Sequence, residues 1–243
     1  MATLFISDLH LEPTRPAMTA LFLDFLRQGA RQADALYILG DLFEAWVGDD
    51  DDAELGYVVA DALRALSDSG VPLFFIHGNR DFLIGPRFAD ASGMQLLPET
   101  TVIELAGEPI LLMHGDTLCT DDVDYQSFRA RVRDPAWRAQ TLALPLAQRR
   151  ILASQLRETS REATQQKAAE ITDVNPAAVD TALRAHGVRH MIHGHTHRPA
   201  VHQWTLDGRP ARRTVLGDWF AQGSVLRHDA TGSRLETLPL PGA

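Results

Sequence analysis

The sequence predicts an α/β fold, a two-sheet β-sandwich flanked by helices, in a single domain over residues 1–243 with a helical cap inserted at 121–170. Three observations predict it. Short apolar runs alternate with helix-like stretches, strand-like runs joined by turns follow near the C-terminus, and one long helical stretch breaks the alternation.

The apolar runs are Thr3 to Ser7, Ala35 to Leu39, Pro72 to His77, Pro109 to His114 and His190 to His193. The first two gaps carry helical patterns, around Ala17 to Arg31 and Ala53 to Ser69. Arg213 to Leu216, Ser224 to His228 and Arg234 to Leu238 read as further strands, with turns at Gly217-Asp218 and Thr231-Gly232. Asp121 to Lys167 reads as helical, with Pro135 and Pro145 as breakers. It separates the His114 run from the His193 run by more than a crossover requires.

With 243 residues and 45% hydrophobic content, the chain can bury a sizeable core. A formal net charge of −9 argues against non-specific nucleic-acid binding, so no nucleic-acid partner is expected. Cys119 is the one cysteine, which excludes an intrachain disulfide and fits a reducing compartment. The N-terminus lacks a basic segment followed by a long apolar stretch, and no run approaches the ~20 apolar residues of a membrane span. A soluble, cytoplasmic chain is expected, with peripheral membrane contact left open.

Polar clusters stand at the C-terminal ends of the five apolar runs: SDLH (Ser7 to His10), GDLFE (Gly40 to Glu44), GNRD (Gly78 to Asp81), HGD (His114 to Asp116) and GHTH (Gly194 to His197). Ligands of open α/β sheets bind outside those strand ends. Asp8 and Asp41 offer carboxylates, Asn79 an amide oxygen, and His10, His114, His195 and His197 imidazoles. This oxygen and nitrogen set without thiolate suits Mn²⁺, Fe²⁺ or Zn²⁺ rather than Ca²⁺. Seven ligands exceed one tetrahedral ion and suit two ions ~4 Å apart that activate water. Asp41 is the expected bridge, joining Asp8, His10 and His197 on one metal to Asn79, His114 and His195 on the other. Each motif alone is ordinary; a Gly-Asp pair is usually a turn and a lone histidine usually structural. Five in order, each after an apolar run, carry the reading. Asp49 to Asp52, in contrast, reads as a solvated loop. His77, His186, His190, His202 and His228 read as structural or surface residues, and His193 and Cys119 as packed ones.

The order D-x-H, GD, GN, H, GHTH resembles the calcineurin-like metallophosphoesterases over about residues 1–116 and 190–230. Longer strings, FISDLHL, ILGDLFEAWVGDD, FIHGNRDFLIG, LMHGDTLCTDD, IHGHTHRP and VLGDW, resemble one group within that class, the UDP-2,3-diacylglucosamine diphosphatases of lipid A biosynthesis in Gram-negative bacteria. That resemblance spans almost the whole chain. It implies hydrolysis of an acylated UDP-glucosamine to 2,3-diacylglucosamine 1-phosphate and UMP, two Mn²⁺ ions, and work at the cytoplasmic face of the inner membrane. It also implies substrate contacts at Asn79, Arg80, Asp122, Ser160, Thr164, Lys167 and His195. Thr164 is a mild departure, since asparagine is common there.

Many members of the broad class carry histidine where this chain has Arg80, and that histidine can protonate an alkoxide leaving group. Guanidinium cannot release its proton at working pH. A phosphate leaving group does not need one, its second pKa being about 6. Arg80 therefore favours diphosphate over simple phosphodiester cleavage, as a fixed charge for phosphate oxygens. His195 stays open as an acid. The alternative for Arg80 is an ion pair with Asp81.

From Ser127 to Lys167 the acidic chain turns basic: Arg129, Arg131, Arg133, Arg138, Arg149, Arg150, Arg157, Arg161 and Lys167 face only Asp134, Glu158 and Glu162. Interleaved Trp137, Leu142, Leu144, Leu146, Ile151, Leu152 and Leu156 make the stretch amphipathic, which suits an anionic lipid and membrane surface. The plainer alternative is a packed helix with a solvated arginine face. Lys167 is the single lysine among 23 basic residues, and Ser160, Thr164 and Lys167 share one helical face, so that lysine is a candidate phosphate contact. Two other functions compete: a related enzyme acting on a soluble nucleotide or phosphoprotein, and a non-catalytic membrane-binding scaffold.

Overall fold

The structure is a computed structural model that describes residues 1–165 and 171–240, with the side chains of 160–165 outside that description. Among the described residues, eleven strands form two sheets. The six-stranded sheet has the order β11-β10-β1-β2-β3-β4. Its members β1 (Ala2–Ile6), β2 (Ala33–Ile38), β3 (Leu73–Phe75) and β4 (Met94–Leu96) run parallel, while β10 (Gln222–Asp229) and β11 (Gly232–Pro239) are antiparallel additions. The five-stranded sheet has the order β5-β6-β7-β9-β8, built from β5 (Thr100–Leu105), β6 (Glu108–Met113), β7 (His190–His193), β8 (Ala200–Leu206) and β9 (Arg209–Val215). Its central strands β6, β7 and β9 are parallel.

Strand alternation sorts the core into three layers. In β1, Leu4 and Ile6 point to one side, into a cluster with Met18, Phe22, Val59, Leu63 and Phe88. Those partners lie on helices α1 (Pro16–Asp24), α2 (Glu54–Asp68) and α3 (Pro86–Ser92). Phe5 points the other way, against Ile110, Leu112 and Ile192 of the second sheet. Leu111, Met113 and Met191 face away from that sandwich, toward Val179 and Leu183 of α7 (Pro176–His186). Both faces of the parallel strands are thus covered, as their continuous apolar runs require. Each fully buried aliphatic contributes about 1.5–3 kcal/mol relative to exposure.

Between β6 and α7 the chain forms α4 (Val123–Arg133), α5 (Pro135–Leu142) and α6 (Leu146–Gln165). Asp122 caps α4 by accepting from the Tyr125 amide at 3.1 Å, and Asp134 caps α5 through Ala136 N and Trp137 N. Pro135 opens α5 and Pro145 directly precedes α6, where a missing N–H leaves no helical bond broken. Short elements escaped the sequence reading: a π-helical turn after α1 (Phe25–Gly29), and α3, β4, β5, α7 and β8.

Candidate metal centre

Five loops leave the C-terminal ends of β1, β2 and β3 in one sheet and β6 and β7 in the other, and they converge. Among the described residues, seven non-glycine positions have positive φ. Ala106 and Asp207 sit in hairpin turns; the other five are Asp8 (55°), His10 (48°), Asp41 (54°), His195 (70°) and His197 (55°). Each such conformation costs of the order of 1–3 kcal/mol, and strain of this kind gathers where side chains must be aimed.

The two carboxylates are used alike. Asp8 Oδ2 accepts from Ser7 Oγ at 2.6 Å and from the His195 amide at 2.9 Å, leaving Oδ1 buried with no hydrogen-bond partner. Asp41 Oδ1 accepts from the Arg80 amide at 2.8 Å, while its Oδ2 lies 3.7 Å from both His10 Nε2 and His114 Nε2. Gly78 lets the strands' loops approach this closely, since a Cβ there would collide with Asp41 Oδ1 and the Asp41 amide.

The histidines are oriented from behind. His10 Nδ1 donates to Glu44 Oε2 at 2.8 Å, and His114 Nδ1 to the Leu39 carbonyl at 2.8 Å. His197 Nδ1 stands 3.3 Å from Asp218 Oδ2. All three Nε2 atoms therefore face the centre, and those of His10 and His197 are 3.3 Å apart beside Asp8. Asn79 Oδ1 lies 2.9 Å from both His114 Nε2 and His195 Nδ1.

Bare nitrogen lone pairs and carboxylate oxygens this close repel unless positive charge sits among them. The titration behaviour records the same field. Burial disfavours a charge on His197, yet the carboxylates of Asp218 and Asp8, each 3.3 Å from its ring, push its pKa up to about 10. Burial also opposes ionisation of Asp8, but His197, His114 and His10 hold it well below the usual carboxylate range. His195 moves the other way, to about 4, through burial and then the neighbouring His114. It is an uncharged imidazole at neutral pH, suited to hold a metal and poorly suited to give up a proton. Asp8, His10 and His197 form one possible cation group, and Asp8, Asp41 and His114 a second. An orphaned Asp8 oxygen and nitrogen atoms fixed by partners behind them fit divalent ions.

The sequence reading missed three residues of this centre. Glu44 and Asp218 orient histidines, the latter from what reads as a plain Gly-Asp turn. Asp81 ties two loops together, accepting from Leu42 N at 2.7 Å and Gly78 N at 2.9 Å. Burial, and next the charge of Asp41, raise its pKa to about 7. Asp81 is thus occupied by two amides and is no ion-pair partner for Arg80, whose Nη1 lies 4.0 Å from Glu44 Oε1. The Arg80 Nε is buried without a partner, and so is that of Arg157.

Both arginines line a cavity of about 660 Å³, open mouth included, that starts at Asn79 and Tyr125. Its remaining walls are mostly apolar: Trp46, Phe82, Phe128, Trp137, Leu152 and Leu156. Asp122 is occupied as the α4 cap. Ser160 and Thr164 fall on α6, where side chains are outside the described residues, and Lys167 lies outside them altogether.

Two charge readings need correcting. The run Asp49 to Asp52 is no merely solvated loop. Asp49 accepts from Trp46 Nε1 (3.1 Å), Gly85 N (2.9 Å) and Phe88 N (3.1 Å). Asp50 pairs with Arg149, and Asp51 and Asp52 with Arg150. The basic residues of 127–167 are likewise partly consumed inside the protein. Arg129 bonds Asp116 and Glu99, and Arg133 Nη2 donates to the Gly78 carbonyl at 2.8 Å. Cys119 is packed, and burial raises its thiol to about 12.

Paired carboxylates and oriented histidines at the strand ends of a two-sheet sandwich mark a class, and residues 1–199 match the calcineurin-like phosphoesterase family, to which this chain belongs. Within the curated relatives it is similar to the UDP-2,3-diacylglucosamine hydrolase of Stenotrophomonas maltophilia (strain R551-3), 57% identical over 245 residues, covering 98% of this chain and 99% of the relative. The protein of the same name from Xanthomonas campestris pv. campestris (strain 8004) is 55% identical over 247 residues, 99% of this chain and 100% of the relative. Among solved structures, a novel archaeal phosphodiesterase aligns with 98% of this chain and 100% of its own at TM-score 0.49 and 12% identity.

Proposed function

We propose that this protein hydrolyses the diphosphate of UDP-2,3-diacylglucosamine, giving 2,3-diacylglucosamine 1-phosphate and UMP, as a step of lipid A biosynthesis. The observation that carries the reading is the junction of two features: a cation-seeking cluster shared by Asp8 and Asp41, and an apolar cavity that opens beside it at Asn79 and Arg80. The names of the relatives agree with it. A soluble nucleotide gives no use for walls of Trp46, Phe82, Phe128 and Trp137, and a scaffold gives none for strained, converging ligands.

Asp8, His10 and His197 would hold one ion, and Asn79, His114 and His195 the other, with Asp41 between them. Two Mn²⁺ ions match the donor set, and when bound they supply an activated water and a clamp on phosphate oxygens. Arg80 and Arg157 present buried, unpaired Nε–H groups at the cavity mouth, where phosphate oxygens can take them up. Neither can protonate a leaving group, so the leaving group must be stable as an anion, as 2,3-diacylglucosamine 1-phosphate is. Residues 121–170 act as the cap that receives the acyl chains, with Asp122, Ser160, Thr164 and Lys167 among the substrate contacts. No described helix is long and apolar enough to cross a membrane. Exposed Leu142, Leu144 and Ile151 on the cap support peripheral contact with the cytoplasmic side of the inner membrane.

The test is incubation with UDP-2,3-diacylglucosamine and Mn²⁺ in ¹⁸O-water. Label in UMP is the expected result and reports attack at the phosphorus nearest uridine. Absence of turnover, or equal turnover of an unacylated UDP-sugar, overturns the reading.

A further inference from the structure

We infer that Asp50 and Arg149 form a latch that fixes α6 against the cavity and thereby sets how the lipid end of the substrate is admitted, an assignment that rests on the lipid reading above. Arg149 is buried, at 3% exposure, and is the one fully buried arginine among the described side chains. Four of its five N–H donors are engaged. Nη1 donates to Asp50 Oδ1 (2.7 Å) and the Val47 carbonyl (2.6 Å), Nη2 to Asp50 Oδ2, and Nε to the Leu144 carbonyl (3.0 Å). This is the bidentate fork geometry that lysine cannot reproduce.

The pair joins two walls of one cavity. Arg149, Leu152, Ala153 and Leu156 fall at i, i+3, i+4 and i+7, one face of α6, and all line the cavity. Trp46 and Val47, on the loop that carries Asp50, line it from the other side. Gly48 sits between them in the left-handed region (φ 134°), and a Cβ there would collide with the Arg149 guanidinium. The loop thus omits a side chain where the arginine enters. Arg149 ties the first turn of α6 to the loop through Asp50 and the Val47 carbonyl. Arg150, paired with Asp51 and Asp52, adds a second attachment through a half-exposed guanidinium.

The test uses the full chain with Asp50→Asn and, as the conservative variant, Asp50→Glu. Hydrogen exchange is read on the amides of residues 146–159. Kinetics are read on the diacylated substrate and on a chromogenic phosphodiester too small to reach the cavity. In Asp50→Asn the α6 amides are expected to exchange faster. KM for the diacylated substrate should rise about tenfold with kcat nearly kept, as when binding shared by ground and transition state is lost. Diester hydrolysis and metal content should not change, and Asp50→Glu should recover part of the KM. Wild-type exchange in α6 together with wild-type KM overturns the latch, and so does a parallel loss on both substrates. Should the wild-type protein ignore the diacylated substrate, the functional reading fails, while unaltered exchange in α6 separately overturns the latch.

Discussion

His10 donates its Nδ1 hydrogen to Glu44 Oε2 across 2.8 Å, although the two residues lie 34 positions apart. A carboxylate can only accept, so this contact fixes the tautomer and aims His10 Nε2 into the centre. Removing such a partner typically weakens metal binding 10–100-fold, by about 1.4–2.7 kcal/mol. Glu44→Ala should therefore lose metal to a chelator at 10–100-fold lower chelator excess, with an unchanged circular dichroism spectrum. Metal retention equal to wild type would remove Glu44 from the centre.

Gly78→Ala places a methyl group against Asp41 Oδ1 and the Asp41 amide. The Asp41 loop must move, and a displacement near 1 Å costs about 100-fold in rate. Turnover should fall by at least that factor, with a stability loss of about 1–3 kcal/mol from overpacking. Calorimetry and single-turnover kinetics on one preparation check both; a small kinetic effect at full stability loss contradicts it.

Arg80→His exchanges a fixed charge for a group able to transfer a proton. Hydrolysis of the diphosphate should drop about 10²–10³-fold, as when one transition-state donor is removed. Phosphodiesters with alkoxide leaving groups should improve relative to it, because general acid catalysis becomes available. The ratio of kcat/KM on the two substrate types is the readout, and a ratio that does not move counts against the leaving-group argument.

Acid stability follows from His190 and His193. Burial, joined by Arg212 at His190, pushes the pKa of His190 down to about 3, and burial pushes His193 to the same level. Both stay neutral in the fold while the unfolded chain takes protons below about pH 6.5. Their contribution is whole above pH 6.5 and is lost progressively as pH falls toward about 3. In His190→Gln that loss is halved at source. Wild type minus variant stability, from urea titrations at several pH values, should shrink steadily between pH 6.5 and 4; a constant difference would show that His190 is not held neutral.

The seven ligand candidates were legible because apolar strand runs end in short polar motifs, and strand ends are where such a fold gathers its ligands. The hydrophobic alternation located β1, β2, β3, β6 and β7 within a few residues. Brief elements were missed where the signal is short or mixed: β4 has three residues, and β8 is exposed over most of its length, with only Leu206 buried. The run Asp49 to Asp52 was misread because four adjacent carboxylates look solvated until the amides of Gly85 and Phe88 reach Asp49, and Arg149 and Arg150, 98 or 99 positions away, reach the other three.

The order of chemical groups along the chain, and the local periodicity that makes each strand, were determined by the sequence itself, since both depend on neighbours within a few residues. Which oxygen of Asp8 is left bare, which carboxylate stands behind each histidine, and that Asp50 grips Arg149 were decided only by the tertiary structure. Those outcomes depend on the packing of two sheets whose loops meet at angstrom tolerances, and no local rule carries information across such separations.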